Sequence, residues 1–253
     1  MADRLPRPMK QAEILARTIT DEIVADGLPA GAKLPNEREM LESYAVGRST
    51  MREALRLMEN WGVVTIRSGR DGGPFVRRPR PSDLGGALTL LMQFEQLPFA
   101  EIYAARQALE PMLARMAATR MTAETLALLE QCNQAIAADL DDRALFRREN
   151  LRFHDLVANA AANPVLSLFL AALESVAGGL AFGVLDGQFT REQRARSLEA
   201  HRELIKTFAA RNPDAADDAM RAHLTDGRAN WQAAYGDLWS RPVQWSSLPP
   251  PAR

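Results

Sequence analysis

The sequence predicts a mainly α-helical protein in two parts: an N-terminal winged helix-turn-helix (three helices plus a small β-hairpin wing) and a C-terminal all-α antiparallel helical bundle. Three observations predict it. A helix-forming stretch at 48–58 sets an apolar stripe beside a row of arginines. A glycine-rich run between two short β-prone segments follows it. From residue 84 onward apolar residues recur at helical spacing, broken by proline and asparagine at turn positions.

In the first part, Ile14, Leu15, Ile19 and Ile23 share one face of an amphipathic helix that ends near Gly27. Residues 28–35, punctuated by Pro29, Gly31 and Pro35, form a turn. Asn36 with Glu39 three residues on is a helix start, and Arg38 lies in that first turn. In the third helix Met51, Ala54, Leu55 and Met58 recur at i, i+3, i+4 and i+7 and must face a core. Arg48, Arg52 and Arg56 recur every fourth residue along a neighbouring flank. A solvated helix with ordinary arginines shares that pattern, so the flanks have to decide. Val63 to Ile66 and Phe75-Val76 are β-prone, and between them Arg67-Ser68-Gly69-Arg70-Asp71-Gly72-Gly73 makes a basic hairpin tip. Three helices and such a hairpin place the third helix in a DNA major groove and the tip beside or in the minor groove. Arginine can bond a guanine edge in two places, and Ser49 or Thr50 can take a phosphate or a base.

On Gly31, Leu34-Pro35-Asn36-Glu37-Arg38-Glu39, Val46-Gly47-Arg48-Ser49-Thr50-Met51-Arg52-Glu53-Ala54-Leu55, Gly62, Gly69 and Gly73-Pro74-Phe75-Val76, the stretch 10–78 resembles the DNA-binding domain of the GntR superfamily of bacterial transcription regulators. The resemblance implies DNA contacts at Arg38, Arg48, Ser49, Thr50, Arg52 and the wing-tip Gly69. Gly47 stands where many relatives carry Ser or Thr, which removes a hydroxyl contact to phosphate.

The chain is nearly neutral, with 31 Lys+Arg against 32 Asp+Glu over 253 residues, which excludes blanket nucleic-acid binding. The balance is uneven: residues 1–81 hold 14 basic against 11 acidic side chains, and 67–80 hold five arginines and one aspartate. Cys132 is the only cysteine, so no internal disulfide can form. With no N-terminal apolar segment and no apolar run long enough to span a bilayer, a cytoplasmic protein is expected, with no membrane partner. Domain limits are expected at 1–78 for the winged helix-turn-helix, 79–83 for a stiff proline-spaced linker, 84–237 for the bundle and 238–253 for a disordered tail.

Helical periodicity in the second part runs through about 84–95, 98–120, 122–140, 142–161, 164–182, 190–211 and 212–237. The turn signals between them are Leu97-Pro98, Met121-Thr122, Asn163-Pro164, the stretch 183–190, and Asn212-Pro213. The chain has three histidines, His154, His201 and His223, and each sits on the apolar face of a different helix. Asn150 lies one turn before His154. Imidazoles plus an oxygen ligand on facing helices are the ingredients of a metal site, although periodicity does not show that the three meet and a lone inward histidine is commonly a core residue. Arg106 lies on an inward stripe with Ile102, Leu109 and Leu113. It needs an anion, either a bundle carboxylate or a ligand carboxylate gripped by the planar guanidinium.

Five stretches carry a second resemblance: Arg106 to Glu110, Asn150 to His154, Asn163-Pro164, Glu199 to Leu204, and Met220 to Leu224. On these, residues 84–237 resemble the FCD ligand-binding domain of the FadR-like branch of the same superfamily. That resemblance implies a divalent metal at Asn150, His154, His201 and His223, and small organic acids or sugar acids such as aldonates as effectors, with Arg106 as an effector contact. Asn150 replaces the usual Asp, so the site loses one negative charge and affinity should be lower. A neutral three-histidine set favours Zn²⁺, Ni²⁺ or Mn²⁺ over Ca²⁺ or Mg²⁺. Catalytic motifs are absent: there is no His-Glu-x-x-His, no phosphate-binding glycine loop and no Gly-x-Ser-x-Gly. Glu149 and Glu199 fall off the inward stripes, so no general base is evident. The sequence therefore reads as a homodimeric, ligand-responsive regulator, a repressor released from a pseudo-palindromic operator. A metal-free regulator sensing an acyl thioester and a metal-dependent enzyme fused to a DNA-binding domain remain the alternatives.

Overall fold

The computed structural model describes residues 10–69, 71–180 and 189–244. Arg70 of the wing, the expected turn at 183–190 apart from Phe189 and Thr190, and the proline-rich end at 246–251 lie outside the described residues. The chain divides between Asp83 and Leu84 into two compact units.

The first unit orders α1 (Gln11–Ala25), α2 (Glu37–Tyr44), α3 (Arg48–Asn60), β1 (Val64–Arg67) and β2 (Gly73–Val76). The stripe Met51, Ala54, Leu55 and Met58 of α3 is buried against Leu15, Ala16, Ile19 and Ile23 of α1. Ile14, expected on that face, is about half exposed; Ala12 takes its place, because the buried arc follows 12, 15, 16, 19 and 23. Asn36 and Glu39 form a reciprocal cap on α2, the Asn36 side chain accepting from Glu39 N at 3.1 Å and Glu39 accepting from Asn36 N at 3.0 Å. The strands pair antiparallel from Val64 opposite Val76 to Arg67 opposite Gly73. Gly69 turns the wing tip at φ +107°, a conformation that L side chains rarely adopt.

The second unit contains most of α4 (Pro81–Phe94) and all of α5 (Phe99–Arg120), α6 (Ala123–Ala138), α7 (Arg143–Ala160), α8 (Pro164–Leu180), α9 (Arg191–Ala209), α10 (Pro213–Tyr235) and the short α11 (Asp237–Ser240). Side-chain caps at Thr122, Asp142, Thr190 and Asn212 start α6, α7, α9 and α10. The core is built on Leu113, Ala114 and Ala117 of α5 with Phe153, Val157, Leu170, Leu204 and Phe208 of the surrounding helices.

Two expectations change here. Residues 81–83, expected in the linker, are the first turn of α4: Pro81 opens it, and the Asp83 carboxylate accepts from Arg80 N at 2.7 Å while pairing with Arg77. Residues 238–244, expected in a disordered tail, pack on the bundle. Trp239 is buried against Phe99 and Tyr103, and Val243 donates its N–H to Leu97 O at 3.0 Å. A tryptophan and a valine found enough apolar surface to offset the cost of ordering the chain.

Candidate metal centre and ligand cavity

Helix periodicity carries His154, His201 and His223 inward from α7, α9 and α10, and the helices bring them together. One nitrogen from each ring lies within 4.8 Å of the other two, and all three side chains are buried. The His154 and His223 Nε2 atoms are 3.3 Å apart.

Two of the rings are fixed from behind. His154 Nδ1 lies 2.6 Å from Glu110 Oε2, so the carboxylate accepts the Nδ1–H and leaves Nε2 as a lone pair. His201 Nδ1 lies 3.2 Å from Asn133 Oδ1, which accepts in the same way, and the His201 ring stacks on Phe153 at 3.9 Å with an interplanar angle of 1°. That leaves His201 Nε2 fully buried with no hydrogen-bond partner in the protein. Burial, reinforced by its histidine neighbours, holds His201 well below the usual imidazole range. Burial and then His154 push His223 down to about 3. Three buried, converging imidazoles, two of them held neutral by burial and one with a nitrogen otherwise unanswered, fit a divalent transition ion.

Sequence reading did not assign Glu110 and Asn133 a role. Glu110 lies one helical turn after Arg106 on the same stripe, and Asn133 interrupts the buried face of Leu129, Cys132 and Ile136. These are the local signals that could have found them. Burial works against a charged Glu110, yet Arg106 and His154 outweigh it and hold the carboxyl down at about 2.

Beside the histidines opens a cavity of about 600 Å³. Its apolar wall is Tyr103, Phe146, Leu151, Phe189, Leu224 and Trp231; Asn150, His154 and His223 line it too. Gly227 is required in that wall: a Cβ there would stand 2.2 Å from Tyr103 Oη. Arg106 lines the cavity but is not free. Its Nε donates to Glu110 Oε1 at 2.6 Å and its Nη2 lies 3.7 Å from Glu174 Oε1, the bundle-carboxylate pairing that the sequence left open. Glu149 is buried rather than outward, but its partners are Arg148 and Arg152 and not a histidine.

In the first unit Arg38, Arg48, Ser49, Arg52 and Gly69 are exposed and Thr50 is half-buried. Arg48, Ser49 and Thr50 form the first turn of α3, whose N-terminal amides Gly47 leaves without a side-chain cap. A first turn with free amides and exposed arginines suits a polyanion. Among the described residues no helix is long and apolar enough to cross a membrane.

Comparison with known proteins agrees with both units. Residues 11–72 match the model of bacterial regulatory proteins, gntR family, and residues 101–226 match that of the FCD domain. The HTH-type transcriptional repressor NanR of Salmonella schwarzengrund is 30% identical over 227 residues, covering 88% of this chain and 85% of its own. NanR of Edwardsiella tarda is 30% identical over 225 residues, with 88% and 85% covered. Among solved structures, Streptococcus agalactiae GntR superposes with a TM-score of 0.67 at 30% identity, covering 86% of this chain and 99% of that one. These similarities indicate a DNA-binding transcription regulator, not an enzyme.

Proposed function

We propose a repressor released by a small acid, starting from the fact that this chain belongs to the gntR family of bacterial regulatory proteins and carries an FCD domain. The observation that carries the proposal is the pairing of two features: an arginine-rich, uncapped first turn on α3, and a cavity in the other unit edged by convergent buried imidazoles. Arg48 and Arg52, with Ser49 and Thr50, read and hold the operator; Arg38 and the Gly69 wing tip hold the flanking backbone. Such a regulator works in the cytoplasm, on chromosomal DNA.

His154, His201 and His223 hold a divalent transition ion, Zn²⁺, Ni²⁺ or Mn²⁺, with Asn150 positioned on the cavity wall as an oxygen donor. When bound, that ion supplies a Lewis-acidic anchor for a carboxylate. The chain does the rest. Glu110 and Asn133 fix two ring tautomers, the aromatic wall excludes water, and Arg106 adds guanidinium donors to the ligand's anionic end while staying paired with Glu110. A sugar acid fits this mixture of polar and apolar walls better than an acyl thioester, which has no use for three converging imidazoles.

A homodimer is the working form. Leu84, Ala87, Leu91 and Phe94 recur along α4 at 3–4 spacing, the spacing of a coiled-coil seam, and all four are exposed. Leu91 is 64% and Phe94 79% exposed, so this face of α4, opposite the one that buries Met92, lacks an apolar partner among the described residues of its own chain. A second copy supplies one and presents two recognition helices to a pseudo-palindromic operator. Acid binding then favours a dimer geometry that no longer matches both half-sites. A tenfold loss of operator affinity needs a differential of only about 1.4 kcal/mol.

The test is the melting temperature against a panel of sugar acids and plain carboxylates, with and without a chelator. A ligand of the folded state raises it by mass action. Stabilisation by an acid that the chelator abolishes supports the proposal; no stabilisation by any acid counts against it.

A further inference from the structure

Among the described residues that line the cavity, one fully buried side-chain oxygen has no hydrogen-bond partner. Glu174 is the sole charged residue of α8 and only 8% exposed, and it lines the cavity. Its Oε1 has no hydrogen-bond partner; the nearest cation, Arg106 Nη2, stands at 3.7 Å, within ion-pair range but too far for a hydrogen bond. Asp155 of α7 lies close enough to the same carboxyl group to act on it electrostatically. A buried oxygen without a partner is costly, and one on a residue that lines a cavity invites a ligand donor.

We infer that Glu174 Oε1 receives a hydroxyl of the bound acid, so that the cavity takes hydroxylated carboxylates in preference to plain ones. This rests on the reading of the cavity as the seat of a small acid. The choice of hydroxyl follows from the two atoms that flank the gap. Glu174 offers an acceptor and Arg106 a donor, 3.7 Å apart, and a hydroxyl is the small group that donates and accepts at once. An ammonium placed there would face the Arg106 guanidinium. An amide N–H would answer Glu174 but give Arg106 nothing. Burial, with Glu110 and Asp155 nearby, raises the Glu174 carboxyl well above its usual range against the pull of Arg106. A hydroxyl suits both of its protonation states, since it donates to the carboxylate and accepts from the acid. A plain aliphatic acid of equal length leaves Oε1 buried and dry, and sites built to bond a hydroxyl reject the analogue lacking it.

The experiment is a calorimetric titration of the full chain with gluconate, galactonate, mannonate and hexanoate, repeated on Glu174→Met and Glu174→Gln. The expected result is at least tenfold tighter binding of one or more hydroxy acids than of hexanoate. Glu174→Met should bring that ratio close to one, by loss of hydroxy-acid affinity rather than gain of hexanoate affinity, in a variant whose melting shows it still folded. Glu174→Gln should lower the ratio only partly. If Glu174→Met does not fold, the Glu174→Gln ratio decides: a reduced ratio supports the inference and an unchanged one overturns it. A hydroxy-acid preference that survives Glu174→Met, or hexanoate binding as tightly as the hydroxy acids, overturns the inference and leaves the cavity reading standing. If none of the four acids binds the folded wild-type chain, the inference and the reading beneath it both fall.

Discussion

His154 donates its Nδ1–H to Glu110 across 2.6 Å, and this buried pair gives the histidine cluster a carboxylate at one remove. The FCD resemblance calls for an acid four residues before His154, where this chain has Asn150. Glu110 supplies negative charge behind the imidazole instead, which strengthens His154 as a donor and fixes its tautomer.

Glu110→Gln should therefore act twice. Zn²⁺ affinity, measured by competition titration, should fall about 10- to 100-fold through the lost outer-sphere carboxylate. The metal-free protein should also lose about 3 kcal/mol, because Arg106 is left buried with Glu174 as its remaining acid. A variant with unchanged Zn²⁺ affinity would show that the Glu110–His154 contact does not tune the site.

The metal-free protein should lose stability on mild acidification. His201 and His223 have folded pKa values below the ordinary 6.5, with His223 near 3. Below about 6.5 the unfolded chain binds protons that the folded chain refuses, so stability is full above that pH and declines as pH falls towards 3. The melting temperature of chelator-treated protein should drop between pH 7 and pH 5, and His223→Leu should flatten the slope. A wild-type melting temperature that stays level across this window contradicts the assignment.

Arg48→Ala and Arg52→Ala should each weaken operator binding by about 1–3 kcal/mol if the side chain reads a base. If it holds a phosphate instead, the salt dependence of binding should lose about one unit of slope. In both cases acid-induced stabilisation of the other unit should persist, since these residues lie on α3 and not in the cavity. Simultaneous loss of both activities in a folded variant would mean that the roles do not divide between the units.

Leu91→Glu or Phe94→Glu should convert a dimer to a monomer in sedimentation experiments with little effect on the melting of the bundle, because both side chains are exposed. Operator affinity should fall with the loss of the second recognition helix. A charged variant that still sediments as a dimer places the interface elsewhere.

The sequence makes legible whatever depends on local periodicity. The α3 stripe, the Asn36 and Glu39 cap and the inward faces of the histidine helices are patterns within one or two turns, and the structure keeps them. What remained hidden is tertiary. Glu110 meets His154 from 44 residues away and Asn133 meets His201 from 68, and spacing along the chain says nothing about such pairs. Spacing marks Arg106 as inward but not its partners, since a buried arginine selects its anion only once the helices are packed. Ile14 failed on a rotation of the helix face, which periodicity fixes only to about one residue. The segment 238–244 failed because composition near a chain end says little about the apolar hollow that Trp239 fills.

The most direct test of the central claim is the affinity of the metal-loaded full chain for DNA upstream of its own gene and its neighbours, followed by fluorescence anisotropy as sugar acids are titrated. At least one acid should lower that affinity tenfold or more, and His201→Ala, with DNA binding intact, should abolish the response. An affinity unmoved by every acid, or a response that survives His201→Ala undiminished, contradicts that claim.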